Sequence, residues 1–137
     1  MSLLQVKRMR KYSKTAHINR LRKLLSEGVR LRDKKCQYCG ESWRKMDCSH
    51  IWPKGSFPAM QFLPENVKLL CSFPCHNLWW HGNPAESGQW VKIFLGEKMY
   101  ENLLKRSQMR VTVNRIFLEQ TETELKQWLA MLRSEWE

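Results

Sequence analysis

The residue types best suited to chemistry in this chain are its five cysteines and four histidines, and their spacing sorts them into two sets. Cys36-Gln-Tyr-Cys39-Gly40 is a C-x2-C knuckle closed by glycine, a turn that brings two thiolates to one ion at about 2.3 Å from each sulfur. Cys71-Ser-Phe-Pro-Cys75 is a second short pair, with thirty-one residues between it and the first. Together the pairs predict a tetrahedral four-thiolate site. Four sulfur ligands leave no open coordination position, so the expected ion is a structural Zn²⁺. Such an ion contributes directly to the folding of a small domain, because its ligands meet only in the folded chain. Cys48 is left over and reads as a small buried residue. An odd cysteine count also disfavours a complete disulfide framework.

The histidines follow a different pattern. His50 lies in Met46-Asp47-Cys48-Ser49-His50-Ile51-Trp52-Pro53, Asn66 lies five residues before Cys71, and His76, Asn77 and His81 follow Cys75. A phosphodiester is anionic and resists hydroxide, so its hydrolysis calls for a neutral base and a cation near the leaving oxygen. Imidazole, with an ordinary pKa of about 6.5, suits the first task. Nitrogen and oxygen donors suit a catalytic Mg²⁺ or Mn²⁺ for the second, so two different metals are expected. Asn77 and His81 are four apart and would share one face of an α-helix, where they could hold one cation. His17, isolated in sequence, reads as structural.

These side chains need elements to position them. Met46 to Trp52 reads as a strand stopped by Pro53, and Lys54 to Pro64 as a loop, which puts His50 near a strand end. His76 to His81 reads as a helix interrupted by Gly82 and Pro84, with Trp79 or Trp80 packing it against the cysteine hairpin. Upstream, Ile18, Leu21, Leu24 and Leu25 predict an amphipathic helix over 16–27, capped by Ser13 or Thr15 and ended by Gly28. Downstream, Trp90 to Leu104 reads as one or two helices and Val111 to Leu118 as extended. Thr121-Glu-Thr-Glu124 reads as a capping box opening a last helix. The stripe Leu125, Trp128, Leu129, Leu132 and Trp136 would cover the core or form a homodimer contact. The fold class is α+β.

Taken as a set, Cys-x2-Cys, a histidine followed by an apolar residue, Asn66 ahead of Cys71, and a second pair running into His76, Asn77 and His81 resemble the HNH, or His-Me finger, endonucleases. More narrowly, Asp47-Cys-Ser-His50, the stretch from Pro58 to Asn66 and Gly82-Asn83 are similar to the phage recombination nucleases called NinG or Rap. The resemblance spans roughly residues 33 to 107. It implies a zinc-stapled ββα-metal core with flanking helices, one divalent ion, and cleavage of DNA, in the narrower family at branched recombination intermediates. By the same resemblance His50 is the base that activates water, Asn66 steadies the loop beside it, and His76, Asn77 and His81 are metal ligands. Where many members carry Asp or His immediately before the base, this chain has Ser49. Asp47, on the same strand face as Ser49, is the candidate acidic ligand, acting directly or through water. A catalytically inactive zinc-ribbon DNA-binding module is the alternative reading.

Charge points the same way. Of a net +11 over 137 residues, nearly all comes from residues 1 to 35, with twelve Lys and Arg against two acids; the rest carries twelve against eleven. Such a block suits a polyanion, since neutralised phosphates release counterions, although a solvated basic tail has the same composition. The candidate DNA contacts are Arg20, Arg22, Lys23, Arg30, Arg32, Lys34 and Lys35, with Lys54 in the loop after His50. Residues 1–12 show no helical pattern and are expected to order only on an anionic partner. The resulting organisation is a basic arm and helix (1–35), a zinc-stapled nuclease core (36–107), and an extended segment with a helix (108–137). With no apolar run of about 18 residues and no secretory leader pattern, the expected setting is cytoplasmic, in a bacterial or phage-infected host cell, away from membranes.

Overall fold

The computed structural model describes residues 11–135. Part of the basic arm (1–10) and Trp136 therefore lie outside the described residues. Ser13 opens helix α1 (Lys14–Asp33), its hydroxyl accepting from the Ala16 N–H at 3.2 Å. Leu21, Leu25 and Val29 recur every fourth residue and are buried. The helix does not end at Gly28. A Cβ there would fall 2.1 Å from Cζ3 of Trp128, so the glycine serves the close approach of two helices. The stop comes at Lys34, whose φ of 66° turns its N–H back to Arg30 O.

The partner of α1 is the last helix, and it starts earlier than the capping-box reading places it. Asn114 accepts from the Phe117 N–H at 2.9 Å and opens a helix over Arg115–Ser134, so Thr121 and Glu124 sit inside it and only 111–114 stay irregular. Leu118, Thr121, Leu125, Leu129 and Leu132 form its buried stripe. Leu118 and Leu125 meet Leu21, Leu25 and Val29 of α1, with Phe62, Val67 and Leu69 completing the core. The stripe is thus covered within the chain. Glu122 clamps the pair, accepting from His17 Nε2 at 2.7 Å, Arg20 at 3.0 Å and Lys126 at 2.9 Å. Arg20, then Lys126, holds the Glu122 carboxyl down at about 2.

Against this helix pair lies a two-stranded antiparallel sheet, β1 (Met46–His50) with β2 (Val67–Cys71), Met46 opposite Cys71 and His50 opposite Val67. β1 ends two residues before the predicted Trp52, because the Trp52 N–H is taken by the Asn66 side chain. Two 3₁₀ turns, Pro58–Met60 and Pro64–Asn66, shape the connecting loop. Asp33 accepts from the Leu69 N–H at 2.9 Å, and Arg32 donates to the Pro64 and Val67 carbonyls, which fastens the end of α1 to β2.

After β2 the chain enters a wide helical segment, Ser72–Trp80, in which the His81 N–H reaches His76 O, five residues back, at 3.1 Å. The Trp90 to Leu104 region is two helices, parts of α2 (Pro84–Leu95) and α3 (Glu97–Ser107), broken at Gly96 with φ 83°. The last helix, Arg115–Ser134, is α4. The architecture is α+β, and among the described residues no helix is long and apolar enough to cross a membrane.

Candidate metal centre and active site

The knuckle of residues 36–40 turns through Gly40, at φ 79°, whose N–H bonds to Cys36 O at 2.9 Å. This directs Cys36 and Cys39 toward Cys71, at the end of β2, and Cys75, in the wide helical segment. The four sulfurs lie within 4.8 Å of one another, Cys39 and Cys71 at 3.9 Å. Four thiolates around one ion at about 2.3 Å stand about 3.8 Å apart, so this group could hold a structural metal. Cys36, Cys71 and Cys75 are buried and Cys39 is exposed. Burial pushes the Cys36 thiol up, but backbone hydrogen bonds around Cys39, Cys71 and Tyr38 outweigh it and bring it to about 7. Burial and the neighbouring sulfurs push Cys75 up instead. Cys48 stands apart, its thiol 3.7 Å from Ser26 Oγ.

Aromatic rings cover the knuckle. Tyr38 stacks on Trp79 with centroids 3.6 Å apart, and Trp90 meets both rings edge-on. Trp80 packs against the buried cysteines. Both tryptophans named from the sequence therefore join the helical segment to the cysteine group.

On the sheet, His50 Nε2 lies 2.9 Å from the backbone carbonyl of Gln61. A carbonyl only accepts, so a neutral ring carries its proton on Nε2 and its lone pair on Nδ1. Burial holds His50 below its ordinary range, and the charges of Lys54, Arg22 and His76 add to that against the Gln61 bond. Asn66, fully buried, accepts from the Trp52 N–H at 2.8 Å and donates to Trp52 O at 3.0 Å and Met60 O at 3.1 Å. Both ends of the loop that carries Gln61 are thereby pinned beside His50.

Asp47 reaches the wide segment, its Oδ2 accepting from His76 Nδ1 at 2.9 Å. Burial pushes the Asp47 carboxyl up, yet the His76 bond and nearby positive charge bring it below its ordinary value. With Nδ1–H held by a carboxylate, the lone pair of His76 is on Nε2, which faces His81 Nε2 at 3.0 Å. Two nitrogens bound side by side on an octahedral ion at about 2.1 Å would stand about 3.0 Å apart.

The four candidate ligands are arranged differently from an α-helical count. Asn77 and His81 would share a face of an α-helix, but the wider turn pairs His76 with His81, and Asn77 donates its amide N–H to Ser72 O at 2.6 Å. Asp47 contacts His76 through Oδ2. Among the described residues, the cysteines form the one convergent group of three or more such donors.

The basic residues also divide. Arg20 is bound to Glu122, Arg30 to Ser26 Oγ and Met46 O, and Arg32 to Asp33 and two carbonyls, so these three tie the fold together, Arg20 and Arg30 while still exposed. Lys23, Lys34, Lys35 and Lys54 are exposed. Arg22 donates to Gln61 Oε1 at 3.2 Å, beside His50. Gln61 is the residue the sequence reading missed, because its contact with His50 is made by a backbone atom that no side-chain motif encodes. An apolar cavity of about 590 Å³ between the 58–64 loop, α3 and α4 is lined by none of the candidate site residues. Comparison with protein-family models, curated proteins and solved structures gave no match.

Proposed function

We propose that this chain is a metal-dependent DNA endonuclease of the HNH type that hydrolyses phosphodiesters on branched or recombination-intermediate DNA. One observation carries the reading: His50, with its tautomer set by Gln61 O, shares a short strand with Asp47, which sets the tautomer of His76 and turns its free nitrogen to His81. The order β1, β2, helical segment supports a ββα-metal core.

In this reading His50 Nδ1 takes the proton of an attacking water while Nε2–H stays on Gln61 O. The ring enters neutral, as its depressed pKa favours, and leaves as imidazolium. A Mg²⁺ or Mn²⁺ at His76 and His81 would, when bound, supply positive charge at the scissile phosphate and leaving oxygen. Asp47 holds the His76 ring, Asn66 holds the loop, and Arg22 and exposed Lys54 add cationic charge close to His50. The cysteine group would hold Zn²⁺ as a staple with no part in the reaction.

A catalytically inactive zinc-ribbon DNA-binding module is the second reading, favoured by the pairing of only two nitrogens at the histidine site. Nicking of supercoiled and four-way branched DNA with added Mg²⁺ or Mn²⁺ separates the two. We expect cleavage, with His50→Ala slower by about 10²–10⁴-fold. No cleavage by the wild type favours the binding module, and equal cleavage by the variant refutes His50 as the base.

A further inference from the structure

A second feature lies where the β-hairpin opens, at the end away from His50. The Ser72 N–H bonds to Lys45 O at 2.8 Å, extending the strand pairing one step beyond Met46 and Cys71. Around this step Trp43, Arg44, Lys45, Ser72, Phe73 and Pro74 line an open cleft of about 660 Å³. Trp43 is 73% exposed and Phe73 65% exposed, both unusual for rings of that size. The cleft has its own supports. Trp43 donates its indole N–H to Glu41 at 2.7 Å, and the Arg44 guanidinium lies 4.8 Å from the ring centroid. The cleft also adjoins the histidine site. Ser72 O holds Asn77, and Lys45, immediately before β1, is two residues from Asp47, near enough for its charge to act on that carboxylate.

Exposed aromatic faces interleaved with cations fit one ligand chemistry well: a flat, uncharged ring joined to a phosphate. A paired base in a duplex keeps its face stacked on its neighbours and cannot offer it, whereas an unpaired nucleotide can. We infer that the cleft of Trp43 and Phe73 is a base-stacking subsite for an unpaired nucleotide of single-stranded DNA, with Arg44 and Lys45 on its phosphates. This rests on the nuclease reading for its purpose and deepens it, since a strand seated there would enter the histidine site from an unpaired or branched segment. The groove of a regular duplex would leave the cleft empty.

The test is binding of the full-length, zinc-loaded protein to a labelled oligothymidylate and to a blunt duplex of equal length, by fluorescence anisotropy with no divalent ion added. Trp43→Ala should weaken oligothymidylate binding by about 5- to 100-fold, the stacking of one base, and leave duplex binding nearly unchanged. Trp43→Tyr should recover most of the loss, and Phe73→Leu, which keeps an apolar side chain without a ring face, should behave like Trp43→Ala. Equal loss on both DNAs, or none on either, overturns the subsite. Tighter binding of oligouridylate than of oligothymidylate overturns DNA as its occupant. Nicking is not read in this experiment, so an inactive wild-type protein would sink the nuclease reading alone, and a silent cleft would sink only the subsite.

Discussion

The cysteine group and the histidine group flank the same short hairpin but are built in opposite ways. The cysteines come from one backbone turn, the end of β2 and the start of the wide helical segment, which bring four sulfurs together, three of the residues being buried. The histidines form a chain of pairwise contacts, Asp47 to His76 to His81, half-buried at one end and exposed at the other. The first arrangement is closed and suits an ion that holds the fold. The second is open to solvent at His81, as the catalytic ion proposed above would require.

This contrast can be broken most severely on the cysteine side. Replacing Cys36 and Cys39 together by serine should remove a metal-binding contribution on the order of 10 kcal/mol and unfold the chain, seen as lost circular dichroism and lost zinc. A folded, metal-free double variant would show that the cysteine group is no staple. On the histidine side the effect should be confined to activity. Asp47→Asn frees the His76 ring and should weaken divalent-ion activation by about 10- to 100-fold with little change in thermal midpoint. Unchanged activation would remove Asp47 from the site.

A smaller effect is expected where neither site is touched. Gly28→Ala drives a methyl group into Trp128 and should cost about 1–3 kcal/mol in urea unfolding while sparing zinc content. An unchanged midpoint would contradict the close approach of α1 and α4. The mildest test is pH. A histidine held below its ordinary value stays neutral further into acid, so the acid limb of kcat/KM should have its midpoint below the ordinary histidine value of about 6.5. The same sign applies to stability: above the unfolded value His50 is neutral in both states, and as pH falls through the window between the two pKa values the unfolded chain binds the proton first and stability drops. A midpoint at or above about 6.5 would contradict the depressed pKa.

How much of this was legible in the sequence depends on how local each cause is. Cys36, Cys39, Cys71 and Cys75 could be grouped by spacing, because each pair is brought together by a short local stretch of chain. The β1 strand was legible to within two residues, since Pro53 and the loop composition bound it. The histidine register was not. An α-helical count joins Asn77 to His81, and only the wide turn, with His76 also anchored across the sheet by Asp47, shifts the pairing by one residue. Gly28 misled for a related reason: a glycine that ends a helix and one that admits Trp128 look alike until α4 is in place. Likewise Thr121 and Glu124 satisfy a capping pattern, but Asn114 caps first and Thr121 is drawn into the buried stripe. That Arg20, Arg30 and Arg32 also fasten the fold was not legible, because their internal acceptors, Glu122, Met46 O and Val67 O, are distant in sequence.

The central claim is that one ion holds the fold and a different one serves the reaction, and metal-resolved nicking tests it most directly. Protein stripped of loosely held ions by brief chelation should keep about one zinc per chain, lose all nicking of supercoiled DNA, and regain it with Mg²⁺ or Mn²⁺ while the zinc content stays constant. Nicking that survives with zinc alone, or that returns with no added ion, would contradict the division between the two groups.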